Sequence, residues 1–334
     1  MAKFYFTHGR GLSHFAETEI KQLINKLREK DNSFYLTTCD YIEGKLSFET
    51  NVALEQLLKL TTIERLFYQI IFKKFDKIPL QDEVLQLIDQ FFTINSVGET
   101  FINTIVTPEC DEQLENIKKI RKSITFRIDS KLTGKWKVSL IIGIPVSKLT
   151  ISNRESIKNI GLRSTICSAL IQLSEIKNQS NTTLVFDPFC GKSTILCELI
   201  LQCRNSKIFY ISSDADRTQL DFSTENFKSL SSKNVQSDFL LLNLSKQSHF
   251  PFRTGIFDSI ITDLPFGNKH PIQFFENPSS RLLTKGSCEA KQFEELINQI
   301  DTDLKLVSKY PVSLGETNAV ILKLSKSESN NKKN

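Results

Sequence analysis

The chain has 334 residues, enough for two domains at roughly 150 residues each, and neither domain needs disulfides to bury a core. Hydrophobic residues make up 40% and charged residues 24%, with 12 Gly and 9 Pro, which excludes collagen-like, low-complexity and wholly disordered chains. A formal net charge of +5 is compatible with an acidic partner without demanding one.

The chain begins with a short aromatic strand pattern, Lys3 to His8, after which Leu12, Phe15, Ile20, Leu23, Ile24 and Leu27 recur at helical spacing. Tyr35 to Thr50 reads as a hairpin turning near Glu43-Gly44, and Asn51 is expected to cap a helix carrying Leu54, Leu57 and Leu58. Thr62 to Phe75 suits a buried strand and Gln81 to Phe92 a second helix, so the N-terminal segment reads as a small α+β unit. Between Lys118 and Lys137, eight basic residues (Lys118, Lys119, Arg121, Lys122, Arg127, Lys131, Lys135 and Lys137) stand against one acid, Asp129. Such a stretch is either a phosphate-contacting surface, with Trp136 available for stacking, or a solvated face. A helix is expected from Asn159 to Lys177, with Arg163 near its start placed to reach a phosphate or to pair with an acid.

The second half reads as β-α-β. Leu184 to Phe186 ends in Asp187, then Pro188-Phe189-Cys190-Gly191-Lys192-Ser193 leads into a helix with Ile195, Leu196, Leu199 and Ile200. A second strand, from Lys207, ends at Asp214, a third ends near Asp238, and a fourth, Phe257 to Thr262, delivers Asp263-Leu264-Pro265-Phe266-Gly267. Acids at the carboxyl ends of successive strands are where an open α/β sheet binds its ligand. The last ten residues, SKSESNNKKN, are expected to form a disordered tail.

The cysteines at 39, 110, 167, 190, 197, 203 and 288 form no C-x-x-C pair and follow an N-terminus without an apolar signal core, so they read as free thiols in a reducing compartment. No cysteine or histidine spacing (His8, His14, His249, His270) suits a metal. The longest apolar stretch, Val138 to Val146, falls far short of the ~20 residues a membrane helix needs. The expectation is a soluble intracellular protein of nucleus or cytoplasm, with no membrane partner.

Gly191-Lys192-Ser193-Thr194 suggests a P-loop, but the position five residues before Gly191 is Phe186, so the backbone cradle for a triphosphate is missing. The first loop of a Rossmann-like methyltransferase fits instead. Asp187 would bind the amino acid end of S-adenosylmethionine, Gly191 would let backbone approach it, and Phe189 and Cys190 would line the same loop. Asp214 suits the ribose hydroxyls and Asp238 the adenine edge. The Asp263-Leu264-Pro265-Phe266 motif suits a base amine, whose lone pair is delocalised into the ring and must be aimed. The Asp263 side chain and the Leu264 carbonyl, held inward by Pro265, would accept its two N–H bonds while Phe266 stacks on the base. Adenine and glutamine amide nitrogens are served by similar motifs, so a DNA or protein amine methyltransferase stays open at this level.

Asp187-Pro-Phe-Cys-Gly, Asp263-Leu-Pro-Phe-Gly and Gly161-Leu-Arg-Ser-Thr together resemble the THUMP-domain guanine-N2 RNA methyltransferases. Tyr5 to Leu23, with Gly11-Leu12, is similar to the family's N-terminal ferredoxin-like region, and Tyr310 to Ala319 resembles its branch acting on U6 small nuclear RNA, a paralogous branch modifying tRNA. The resemblance implies a Rossmann-like class I methyltransferase domain of α/β type preceded by an α+β ferredoxin-like/THUMP RNA-binding region. The divisions expected are 1–150 for the RNA-binding region, 151–180 for a connecting helix, 181–325 for the methyltransferase domain and 326–334 for the tail. It further implies N2-methylguanosine formation in a structured RNA, S-adenosylmethionine as cofactor and a Trm112-type activator subunit as partner. Three departures are visible: Ser193 stands where the family carries a second glycine and is expected to narrow the space beside the cofactor. The stretch from Arg127 to Ile142 is short for a full THUMP domain, and no apolar fifth strand follows Arg281 to Ser287. These departures set the alternative expectation, an RNA-binding protein that keeps the fold with impaired catalysis.

Overall fold

The computed structural model describes residues 2–42, 44–93, 127–133, 137–146, 156–176, 182–203, 207–230, 235–244, 251–253, 255–264, 304–314 and 317–326. Two compact units divide the chain, Met1–Ser152 and Asn153–Asn334.

The first unit is built on six antiparallel strands, β1 (Ala2–Thr7), β2 (Leu36–Ile42), β3 (Lys45–Thr50), β4 (Arg65–Phe75), β5 (Arg127–Thr133) and β6 (Lys137–Pro145), in the order β2-β3-β1-β4-β6-β5. Helix α1 (Ser13–Arg28) and the single turn α2 (Leu54–Leu57) connect the first four strands, giving the ferredoxin-like βαββαβ arrangement, and α3 (Gln81–Thr93) follows β4. The alternation of β1 turns Phe4 and Phe6 toward Ala16, Ile20 and Ile24 of α1, which together form the core of one sheet face. On the other side Tyr5 stacks on Phe67 at 4.6 Å between ring centroids. A Cβ at Gly143 would lie 2.4 Å from the Tyr5 ring and 2.9 Å from the Tyr68 carbonyl, so β6 needs glycine where it crosses these aromatics. The β2–β3 hairpin turns at Gly44, whose φ of +79° explains the residue.

Two local expectations change. Asn51 does not cap α2, which starts after Ala53; its side chain instead accepts from the Tyr35 amide and donates to the Ser33 carbonyl. The strand expected from Thr62 starts only at Arg65, because the amides and hydroxyls of Thr61 and Thr62 all donate to the Glu19 carboxylate of α1.

In the second unit, β7 (Thr183–Asp187), β8 (Ile208–Asp214), β9 (Gln236–Leu241) and β10 (Ser259–Ile260) form a parallel sheet in the order β10-β7-β8-β9. Helices α4 (Ser164–Ser174), α5 (Thr194–Gln202) and α6 (Arg217–Leu230) pack with it around Val185, Leu196, Leu199, Ile171, Tyr210 and Phe227. Strand β10 is extended by backbone bonds from Asp258 to Leu184 and from Ile261 to Phe186. Helix α4 is shorter than the expected Asn159–Lys177. Asn159 and Gly161 are drawn off the helical path by hydrogen bonds to Asn226 and Thr194, and the helix stops at Glu175, whose φ is +58°. A hairpin of β11 (Leu304–Leu314) and β12 (Thr317–Lys326) carries the Tyr310–Ala319 stretch, so the strand occupies the first two residues of the expected tail. Lys323 of β12 meets Glu175 at 2.6 Å. Residues 281–287 lie outside the described residues. Among the described residues, no helix is long and apolar enough to cross a membrane.

Candidate active site

The chain runs β7, β8, β9 to one side and then returns to place β10 on the other side of β7. Strand order therefore reverses at the carboxyl end of β7, the position where open α/β sheets bind ligands. Asp187 ends β7, Asp214 ends β8, and Asp263-Leu264 follows β10.

The loop after β7 is held by hydrogen bonds to β8 and α6. The Cys190 amide donates to the Ser213 carbonyl at 2.9 Å and the Gly191 amide to Asp214 Oδ2 at 2.8 Å. Gly191 has φ +50°, a left-handed conformation that glycine adopts without strain. Asn226 of α6, fully buried, donates to the carbonyls of both Lys192 and Asn159, tying this loop to the segment before α4. The Phe189 side chain is half-buried, whereas Cys190 is buried and turns its Sγ toward the Gly191 carbonyl. Lys192 lays its Nζ over the Phe222 ring at 5.2 Å, a placement unlike that of a phosphate-binding lysine.

Ser193 does not narrow the loop, contrary to expectation. Its side chain is wholly buried and its Oγ meets Ser212 Oγ at 3.1 Å and Ser223 Oγ at 2.5 Å, behind the loop between β8 and α6. With φ +54° it occupies a conformation natural to glycine, which costs about 1–2 kcal/mol, and these two hydroxyl contacts offset that cost. Ser193→Ala keeps the strain and loses the bonds, so it is expected to destabilise the protein by about 1–2 kcal/mol, whereas Ser193→Gly relieves the strain and costs less. Urea denaturation of the two variants checks the order, and their ligand affinity is expected to match that of the parent.

The electrostatics concentrate on two carboxyls. Asp187 is buried; its Oδ1 accepts from Thr262 Oγ1 at 2.7 Å and from the Phe189 amide at 3.2 Å, while Oδ2 has no hydrogen-bond partner among the described residues. Burial pushes this carboxyl up to about 7, the hydrogen bonds from Thr262 and Phe189 oppose the shift, and the charges of Asp263 and Asp214 add to it. Burial likewise pushes Asp263 up to about 6. The Cys167 thiol of α4 is raised by burial, then by the charges of Glu198, Asp263 and Asp187. A buried carboxylate oxygen without a partner at a switch point is a free acceptor. Asp214 has both oxygens engaged by backbone, Oδ2 by Gly191 and Oδ1 by Asp216, and each oxygen keeps a lone pair for a hydroxyl.

Asp238 is not at a strand end. It is the third residue of β9, pairs with Ile211, and is exposed, three positions short of the Leu241 that lies level with Asp214. The first residue after β9 is Leu242, whose amide bonds the Asp214 carbonyl, and Asn243 comes next. A side-chain amide offers a donor and an acceptor together, as a base edge requires. Pro265 and Phe266 lie outside the described residues, as do Lys118, Lys119, Arg121, Lys122 and Lys135. Arg127 and Lys131 fall on β5 and Lys137 on β6, with Lys131 opposite Ser139 and Thr133 opposite Lys137. Among the described residues no cluster of His, Cys, Asp and Glu could hold a metal.

The family model of the RMKL-like methyltransferase domain matches residues 152–271. The human U6 snRNA (guanine-N(2))-methyltransferase THUMPD2 is 34% identical over 129 residues, 39% of this chain and 24% of that protein. The bovine tRNA (guanine(6)-N(2))-methyltransferase THUMP3 is 28% identical over 140 residues, 39% of this chain and 26% of that protein. The match thus spans about a quarter of these curated relatives. Among solved structures, TrmN from Thermus thermophilus superimposes with a TM-score of 0.60 at 14% identity, covering 98% of this chain and 100% of that one. A possible methylase from Clostridium difficile 630 gives 0.59 at 13% identity, covering 98% of each. With its acids gathered at the switch point of its parallel sheet, the second unit has the class I methyltransferase fold, and its segment 152–271 is similar to the RMKL-like methyltransferase domain.

Proposed function

We propose that the chain is an S-adenosylmethionine-dependent RNA methyltransferase that forms N2-methylguanosine in a structured RNA, U6 small nuclear RNA or tRNA. The observation that carries this reading is the placement of Asp187, with its orphaned Oδ2, beside Asp263 at the switch point of the parallel sheet. The names of the similar proteins supply the base and the RNA classes.

When bound, S-adenosylmethionine supplies an electrophilic methyl group on a sulfonium centre. Asp187 Oδ2 would accept from its ammonium group, the Gly191 backbone would allow close approach, Asp214 would take the ribose hydroxyls, and Asn243 would face the adenine edge. Asp263 and the Leu264 carbonyl would accept the two N–H bonds of the guanine 2-amino group, turning its lone pair toward the methyl. Pro265 and Phe266, next in the motif, are assigned the inward turn of that carbonyl and the stacking surface for the base. The proton of the amine leaves after transfer, so Asp263 needs to be an acceptor rather than a strong base. The N-terminal unit, with Arg127, Lys131 and Lys137 on neighbouring strands, is assigned to gripping RNA together with the basic stretch before it. The resemblance adds a Trm112-type subunit as partner, and the cysteine pattern a reducing nuclear or cytoplasmic location.

Both carboxyls work ionised, and both have raised values, Asp263 to about 6 and Asp187 to about 7. Methyl transfer is therefore expected to rise as pH increases through this window and to level off above it. A profile already flat from pH 5.5 upward would contradict these roles. The reading itself is tested with the purified chain, alone and with a Trm112-type subunit, given radiolabelled S-adenosylmethionine and transcripts of U6 small nuclear RNA and tRNA. Nucleoside analysis is expected to show labelled N2-methylguanosine; label in adenosine, or in no nucleoside with either RNA, overturns it.

A further inference from the structure

We propose that Thr262 is a positioning residue that joins the two halves of the site: its hydroxyl, one residue before Asp263, holds the Asp187 carboxylate in the orientation and charge state that a ligand ammonium group requires. The inference rests on the cofactor role given to Asp187 above. The two residues are 75 positions apart in sequence, yet Thr262 Oγ1 donates to Asp187 Oδ1 at 2.7 Å.

The geometry makes this bond selective. The Phe189 amide donates to the same oxygen, so Oδ1 is occupied twice and Oδ2, without a partner among the described residues, is left as the acceptor assigned above to the ammonium group. Without the hydroxyl, one donor remains and the carboxyl group is freer to turn about its terminal torsion, a broad and nearly two-fold rotor. The charge state follows the same bond. Among the described residues, the ionisable groups that act on or feel the charge of Asp187 are Asp263 after β10, Asp214 on β8, and the neutral thiols of Cys167 on α4 and Cys190 in the loop. None of these is a cation. Ionisation of Asp187 is therefore supported by the Thr262 and Phe189 hydrogen bonds against burial and two like charges. Since Thr262 also precedes the base-contacting pair Asp263-Leu264, a displacement of that segment is felt at Asp187, and the reverse.

The test compares the parent with Thr262→Val, which keeps the shape and removes the donor, Thr262→Ala as a second hydroxyl-free variant, and Thr262→Ser, which restores the donor. Two quantities are read across pH 5.5–8.5: the side-chain carboxyl titration of Asp187 in the ligand-free protein by carbon-13 NMR, assigned with Asp187→Asn, and calorimetric affinity for S-adenosylhomocysteine. In the hydroxyl-free variants both midpoints are expected to move to higher pH, with affinity at pH 7 falling about tenfold, as for loss of one hydrogen bond to a charged group. Thr262→Ser is expected to return both to the parent values. Midpoints that coincide with the parent in Thr262→Val or Thr262→Ala overturn the proposal, as does an equal loss in Thr262→Ser. If the parent itself binds no S-adenosylhomocysteine, the cofactor reading fails while the carboxyl titration still decides whether Thr262 controls Asp187.

Discussion

Asp263→Ala is expected to lower methyl transfer to guanosine by about 100- to 1,000-fold, the range found when one preorganised hydrogen-bonding group is removed from a reacting centre. The amine of guanine is a weak nucleophile because its lone pair is shared with the ring. An acceptor on each N–H bond is what turns that pair toward the methyl, and alanine leaves only the Leu264 carbonyl. Affinity for S-adenosylhomocysteine moves the other way. The Asp263 charge raises the Asp187 carboxyl, so deleting it favours the ionised form of Asp187 and is expected to hold or strengthen binding near pH 7. Asp263→Asn, which keeps one acceptor oxygen, should fall between parent and alanine. Single-turnover transfer of a labelled methyl, with affinity measured separately, checks the split; unchanged turnover in Asp263→Ala removes the role assigned to it.

Asp187→Asn is expected to abolish detectable cofactor binding and at the same time to stabilise the ligand-free protein at neutral and alkaline pH. The sign follows from the direction of the shift. The folded-state value is about 7 against an ordinary 3.8, so folding disfavours the charged form. The contribution of this group to stability is full below pH 3.8 and is lost as pH rises through 7. Above that, the penalty is on the order of 4 kcal/mol, and asparagine does not carry it. Urea denaturation of parent and variant should therefore give similar midpoints near pH 4 and a clear advantage for the variant at pH 8. Parallel pH dependences would show that Asp187 is solvated or paired in the folded protein. A binding site that weakens its own fold in this way fits a carboxylate kept ready for an ammonium group.

The second unit was largely legible from local signals. The run Leu184 to Phe186 closed by Asp187, the glycine at 191 and the apolar stripe of α5 each have a short-range cause, and the strand ending at Asp214 follows the same pattern. The βαββαβ order at the N-terminus was equally readable, because α1 is amphipathic and the hairpin turns at a glycine with positive φ. Strand length misled at β4, which starts at Arg65 and not at Thr62, and at β9, where the acid at 238 sits mid-strand because the strand continues through Leu241 on a run of leucines that carries no end signal.

Other features required the chain to fold back on itself. Ser193 looked like an obstruction because sequence shows only that a side chain replaces a glycine. Its direction is set by Ser212 and Ser223, 19 and 30 positions away, which turn the hydroxyl behind the loop. Asn226 draws Asn159 and Lys192 together across 67 and 34 positions, which is why α4 begins at Ser164 and not at Asn159. The bond from Thr262 to Asp187 spans 75 positions. Local hydrophobic period and turn chemistry decide which elements form and where acids end strands, whereas the orientation and charge of those acids depend also on donors, Thr262 and the Gly191 amide, that parallel strand pairing brings within hydrogen-bond reach.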